Sequence, residues 1–243
     1  MFGQGFVGKL AFPSANVSDR LEKTFTSVNF NMMIMVIYAL ITIAIFGMWY
    51  YARYEGNFLP SPKKTFNPMM IVAIVILVPG TQFAANFIAN LTGYIRPDWL
   101  QQYNELFETS GITDTTFVTV LYSVILAPIC EELIFRGVTM RCARKALPFA
   151  LANLMQAALF GLFHLNWIQG IYAFALGIVL GYVCERGGSI YYSMGLHLLF
   201  NLWGTLSGFF PDPGNSVVVF VVVIVVTIVS LVAGFVLFNK GRR

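Results

Sequence analysis

Hydrophobic residues run along this chain in long blocks with short polar interruptions, and block length is the first structural signal. A helix needs about 20 mostly apolar residues to cross the hydrocarbon layer of a bilayer. Seven blocks are predicted to do so: Phe30–Tyr51, Pro68–Leu91, Phe117–Arg136, Pro148–His164, Gln169–Cys184, Ile190–Leu206 and Val217–Phe238. The first, second and last are the plainest, and Val217–Phe238, almost all Val, Ile and Leu, is expected to face lipid as an anchor. The middle four carry Glu, His, Asn and Gln where hydrocarbon penalises them, a contrast that separates scaffold from site. Gly56, Pro60, Pro62 and Pro68 mark one loop, and Pro211, Pro213 and Gly214 another. Gly177 and Gly181 share one helix face and allow a neighbouring helix to approach closely. The predicted fold is all-α: a polytopic transmembrane helix bundle of about seven spans, or eight if residues 1–29 hold an interfacial or re-entrant segment. Three regions follow within one membrane domain. They are 1–114 with two spans and loops, 115–206 as the core, and 207–243 as the anchor and basic tail.

Composition strengthens this picture. Of 243 residues, 58% are hydrophobic and only 11% charged, with mean hydropathy +0.73, against about 25% charged residues in a soluble domain. So few charges cannot cover a water-facing surface, which disfavours a soluble enzyme, a disordered protein and a nucleic-acid binder together. The net charge of +4 is explained by basic loops rather than by a nucleic-acid partner. One side of the membrane takes Arg53, Lys63, Lys64, Arg136, Arg141, Arg144, Lys145, Arg186, Lys240, Arg242 and Arg243; the other takes Lys9, Arg20, Lys23 and Arg96. The loop from Thr92 to Asp114 adds Asp98, Glu105, Glu108 and Asp114 to that second side. By the positive-inside rule the C-terminus is expected in the cytoplasm of a multi-pass cell-membrane protein, or of an endoplasmic reticulum protein in a eukaryote. The odd set Cys130, Cys142 and Cys184 suggests no disulfide framework. No removable signal peptide is expected.

Ionisable groups inside a membrane default to a functional reading. Glu131 and Glu132 follow an apolar run and precede Leu133-Ile134-Phe135-Arg136. On a helix, Glu132 and Arg136 share a face in the order that favours an ion pair, whereas Glu131 points elsewhere without a partner in its own helix. Glu132 with Arg136 therefore reads as structural support, and Glu131 as the chemical group. Both histidines of the chain also lie in apolar segments: His164 closes Phe160-Gly161-Leu162-Phe163-His164, and His197 opens His197-Leu198-Leu199-Phe200-Asn201. Asn201 lies one turn past His197 on the same face.

Glu131 and His164 flank a predicted turn at Leu147-Pro148, each about 16 residues or ~25 Å from it, and His197 lies ~12 Å beyond the next turn. Two antiparallel helices meeting at that turn bring Glu131 and His164 to similar depth. The three side chains are expected to converge in the cytoplasmic half of the membrane.

These residues together resemble the CPBP intramembrane protease family, which includes type II CAAX prenyl endopeptidases and bacterial Abi proteins. The family pattern of Glu-Glu-x-x-x-Arg, Phe-x-x-x-His and His-x-x-x-Asn or Asp is met by Glu131-Glu132 to Arg136, Phe160 to His164, and His197 to Asn201. The resemblance covers residues 115–205. It implies a CAAX-protease-like core that hydrolyses peptide bonds with water and without a covalent acyl-enzyme. Glu131 would activate water with His164, and His197 with Asn201 would stabilise the oxyanion, while Glu132 and Arg136 orient the helix carrying Glu131.

An apolar setting and fixed neutral donors suit that chemistry. No cofactor is expected. Glu131, His164 and His197 would form the ligand set of a zinc metalloprotease as the alternative, although no His-Glu-x-x-His is present. Cys130 beside Glu131 raises a thiol-nucleophile option, outweighed by its reading as a small buried hydrophobe. Expected partners are membrane lipid and a peptide or lipidated-peptide substrate cleaved near the cytoplasmic face. A catalytically silent scaffold or regulator of a membrane partner is the competing class, disfavoured because it has no use for such costly groups. A transporter would call for inverted repeats or broken helices in paired positions, and neither is evident.

Overall fold

The computed structural model describes residues 28–55, 66–110, 116–207 and 216–242, all of the regular structure being helical. The loop markers Gly56, Pro60, Pro62, Pro211, Pro213 and Gly214, the residues Lys9, Arg20, Lys23, Lys63, Lys64, Asp114 and Arg243, and nearly all of 1–29 lie outside them.

The helices are α1 (Val28–Tyr50, continued by a wider turn Tyr51–Glu55), α2 (Pro68–Ile95), α3 (Pro97–Ser110), α4 (Phe117–Ala143), α5 (Phe149–Phe163), α6 (Trp167–Gly187), α7 (Ile190–Ser207) and α8 (Val217–Gly241). All seven predicted apolar blocks are helices, but only α1, α2, α4, α6 and α8 are long and apolar enough to cross a membrane. The expected count of seven spans is therefore not confirmed. α5 has 15 residues, about 22 Å against a hydrocarbon layer of ~30 Å. α7 has 18 residues, diluted by its own polar groups, among them Ser193, His197 and Asn201.

The stretch Thr92–Asp114, expected as a loop, contains α3. This 14-residue amphipathic helix starts with Pro97 and Asp98 in its first turn, as helix N-termini favour. Its Leu100 folds against Gly93, where an added methyl would stand 3.2 Å away.

Polar contacts define the two ends of the bundle. At one end Asn67 caps α2 by accepting from the Met69 N–H at 2.8 Å. Its amide donates to the Gly241 carbonyl at 2.6 Å, and its own N–H donates to the Tyr192 hydroxyl at 2.9 Å. Arg144 pairs with Glu185 at 3.1 Å, so the α4–α5 and α6–α7 turns stand side by side at that end. Gly188 closes α6 with φ 69°, a left-handed cap that glycine adopts without strain. At the opposite end Trp99 of α3 stacks on Trp167 of α6, centroids 5.4 Å apart.

The main core joins α2, α6, α7 and α8 through Leu77, Val78, Leu180, Val183, Leu196 and Phe238. The anchor helix α8 is more than a lipid-facing rod. Pro79 inside α2 removes one backbone donor and disrupts the local ladder. Ser230 of α8 fills the gap: its hydroxyl accepts from the Gly80 N–H at 2.9 Å and donates to the Ile76 carbonyl. A proline in a membrane helix is tolerated when a neighbour satisfies the freed groups in this way. The Gly177/Gly181 face allows the expected close approach, of α5: a methyl on Gly177 would lie 3.1 Å from Ala157.

Candidate active site

Pro128 lies inside α4, where it has no N–H for the Val124 carbonyl and its ring crowds that oxygen. The helix widens over Leu121–Leu126, so that the Ala127 N–H reaches back five residues to Tyr122, and widens again over Leu133–Met140. Glu131 and Glu132 sit on the tighter segment between, Ala127–Glu132. Such π-type insertions recur at functional sites.

The two glutamates separate in role through their surroundings. Glu132 and Arg136 have fully buried side chains, and the Arg136 guanidinium donates to Glu132 Oε1 at 2.8 Å. Arg136 also donates to the Gly177 carbonyl at 3.4 Å and lies 4.4 Å over the Phe160 ring. The same Glu132 oxygen accepts from His197 Nδ1 at 3.0 Å. That bond fixes the imidazole so that Nε2 lies 3.6 Å from Oε2 of Glu131, whose side chain is 16% exposed. His197 thus stands between both carboxylates, one locked to an arginine and one open to the cavity described below.

His164 is fixed from the other side. Its Nδ1 is 2.8 Å from the Phe160 carbonyl. A carbonyl only accepts, so Nδ1 carries a hydrogen, and in the neutral imidazole Nε2 is the lone-pair nitrogen. Phe160 packs edge-on against both imidazoles, 4.9 Å from His164 and 5.8 Å from His197. His164 ends α5, and Leu165 follows at φ 53°, a left-handed conformation that costs a branched side chain about 1–2 kcal/mol. Asn166 then caps α6 by accepting from the Gln169 N–H at 3.0 Å. Asn201 donates to the Ser123 carbonyl of α4 at 2.8 Å, which ties α7 to α4 one turn above His197.

Glu131, His164, His197 and Asn201 all line one cavity of about 840 Å³. Glu132 and Arg136 lie beneath it and are not part of its wall. The plain second span turns out to be part of the site: Gln82, Ala85, Asn86 and Ala89 of α2 form a wall. Gln82 Oε1 is buried without a hydrogen-bond partner among the described residues. Its spacing with Asn86 and Asn90, i, i+4 and i+8 within an apolar run, was the signal available in the sequence. Tyr103 of α3 and Tyr172 of α6 line the cavity as well. Asn153 and Gln156 have a structural task instead, donating to the Ile178 and Gly177 carbonyls at 3.0 and 2.8 Å.

The depth of the site departs from expectation. Glu131 and His197 lie near the middle of their helices, about 18 Å and 10 Å from the end that carries the basic turns. His164 lies at the end of α5 remote from its basic turn. From these residues the cavity runs away from the basic turns, along Thr119, Thr205 and Ser207. The expected convergence in the half next to those turns is corrected to a mid-height site opening the other way. Tyr50, Leu133, Met140, Cys184 and Ile190 are buried together there and close that half.

Among the described residues no group of three His, Cys, Asp or Glu side chains is gathered as a metal site. Cys130 is buried with its thiol directed at the Ala39 carbonyl, 3.5 Å away, Cys184 is buried, and Cys142 is exposed.

Residues 113–203, which include α4 through most of α7, match the family model described as type II CAAX prenyl endopeptidase Rce1-like, the family that the three motifs resemble. The family is one of proteases, and with five apolar helices of spanning length it supports a multi-pass membrane protein. No curated protein and no solved structure matches the chain.

Proposed function

We propose that this protein is an intramembrane endopeptidase that hydrolyses a peptide bond of a membrane-associated or lipidated peptide with water activated by Glu131. The observation that carries the reading is the pairing of acceptors in one cavity. Glu131 is an open carboxylate, and His164 has its Nδ1 hydrogen committed to Phe160, leaving Nε2 as a lone pair. A water that donates one hydrogen to each keeps its own lone pair for a carbonyl carbon. As the oxygen–carbon bond forms, the water proton passes to Glu131, which then gives it to the leaving amine as the carbon–nitrogen bond breaks.

Negative charge develops meanwhile on the carbonyl oxygen. His197 is oriented by Glu132 and, when doubly protonated, offers Nε2–H to that oxygen; the Asn201 amide lies one turn further along α7. Donors fixed before the reaction stabilise such charge without reorganisation. The Glu132–Arg136 pair holds the imidazole and the segment bearing Glu131 in register. The C-terminus lies in the cytoplasm in this reading, as the basic residues of the α4–α5 turn, the end of α6 and the end of α8 favour.

The test is comparative peptidomics of membranes from cells carrying wild type or Glu131→Gln. Cleaved products present with wild type and replaced by intact precursor with the variant support the reading. Identical peptide profiles with both proteins present at equal abundance in the membrane overturn it, and leave a silent scaffold as the better description.

A further inference from the structure

We propose that the cavity admits its substrate from the non-cytoplasmic face of the membrane, so that the peptide attacked is one exposed outside the cytoplasm. The inference deepens the hydrolase reading above and rests on it for the word substrate; the direction of opening rests on independent observations.

The two ends of the bundle differ in charge and in closure. The closed end carries Arg141, Arg144, Lys145, Arg186, Lys240 and Arg242, on turns and helix ends that the Asn67, Tyr192 and Gly241 contacts bring together. The open end carries, among the described residues, a single cation, Arg96, held by Asp98 at 2.6 Å. Basic residues within a few turns of the spans set orientation, because cytoplasmic loops retain them. The closed end is therefore cytoplasmic.

The cavity respects this division along its whole length. Each helix that lines it does so from about its middle outward, away from the basic turns, as Gln82 to Ala89, Thr119 to Glu131 and His197 to Ser207 illustrate. Below Glu131 the path is blocked by the buried Glu132–Arg136 pair and by the apolar cluster around Tyr50 and Met140. A peptide therefore reaches the reacting groups without crossing the basic end. The rim adds a second feature. Leu165 and Trp167, 93% and 57% exposed beside His164, form an apolar tip suited to the interfacial layer. The peptide segment that fits is one lying at the outer membrane interface. Amide and hydroxyl groups such as Gln82, Asn86, Thr119 and Ser123, set in a wall that also holds Met35 and Phe200, suit its backbone and uncharged side chains.

Membrane-impermeant maleimide tests the direction without any assay of cleavage. Cys142 is exposed at the closed end, whereas Cys130 and Cys184 are buried. In intact bacterial cells the wild-type chain should stay unlabelled until the membrane is permeabilised. The Ser207→Cys variant in a Cys142→Ser background should be labelled without permeabilisation. Labelling of wild-type Cys142 in intact cells, or of Ser207→Cys only after permeabilisation, overturns the proposal. A fluorescent protein fused to the C-terminus, which matures only in the cytoplasm, gives a readout on the unsubstituted chain: fluorescence is expected, and its loss with full-length fusion present contradicts the orientation. These results stand apart from the Glu131→Gln peptidomics. A site that opens outward yet cleaves nothing would retain the topology and lose the hydrolase, and the converse outcome would do the reverse.

Discussion

Removing Arg136 probes the centre of the account through stability and function at once. Its guanidinium is fully buried, 2.8 Å from a carboxylate that is fully buried too. Arg136→Met leaves Glu132 charged in an apolar interior with neutral donors around it, His197 Nδ1 at 3.0 Å among them. Breaking such a pair on one side costs about 3–5 kcal/mol, because the surviving charge is uncompensated. For a chain of this size ~1 kcal/mol moves Tm by roughly 2–4 °C, so the expected fall is roughly 6–20 °C. Thermal unfolding of purified protein in one detergent or lipid condition measures it. The double variant Glu132→Gln with Arg136→Met removes both charges and keeps an amide oxygen for His197 Nδ1. It should recover most of the lost Tm, since a buried pair replaced as a whole is often neutral. A single variant within ~1 kcal/mol of wild type, or a double variant no more stable than the single, would refute the reasoning.

Ser230→Ala should destabilise by about 1–3 kcal/mol, because the Gly80 N–H and the Ile76 carbonyl beside Pro79 lose their shared partner; unfolding of the purified variant reads it, and an unchanged Tm contradicts the bridging role. Gly181→Ala drives a methyl into the Asn153 and Gln156 amides and should cost about 1–3 kcal/mol by overpacking in the same assay, whereas Gly195→Ala, with open space around it, should cost under ~0.5 kcal/mol. Cleavage should survive a chelator, and loss restored specifically by zinc would replace the carboxylate–imidazole mechanism with a metal-dependent one.

Much of the site was legible because charge in an apolar run has few innocent explanations. Glu131, Glu132, Arg136, His164, His197 and Asn201 announce themselves against their neighbours, and the Glu132–Arg136 spacing gives their pairing directly. The bond from His197 to Glu132 was not readable, since it joins residues 65 apart in the chain through packing that no local pattern encodes. Gln82 and Asn86 do not stand out in the sequence, because two amides change little in so apolar a run. Residues 97–110 read as a loop because their charges dominate, while Trp99, Tyr103 and Leu106 were too few to suggest a buried face. Pro79 was visible as a breaker, but its complement Ser230 lies 150 positions away. Distances counted from the basic turns give roughly the right heights, but they carry no information on the side to which the space between helices opens.

The account stands or falls on whether Glu131 and His164 grip one water as a unit, and a double-mutant cycle on cleavage measures that directly. Once a cleaved peptide is in hand, its turnover is compared for wild type, Glu131→Gln, His164→Ala and the combined variant, at equal folded protein. Residues that act together lose their contribution once, so either single change should abolish most turnover and the combination should add little. Losses that multiply, or a single variant that retains wild-type turnover, would contradict the shared water.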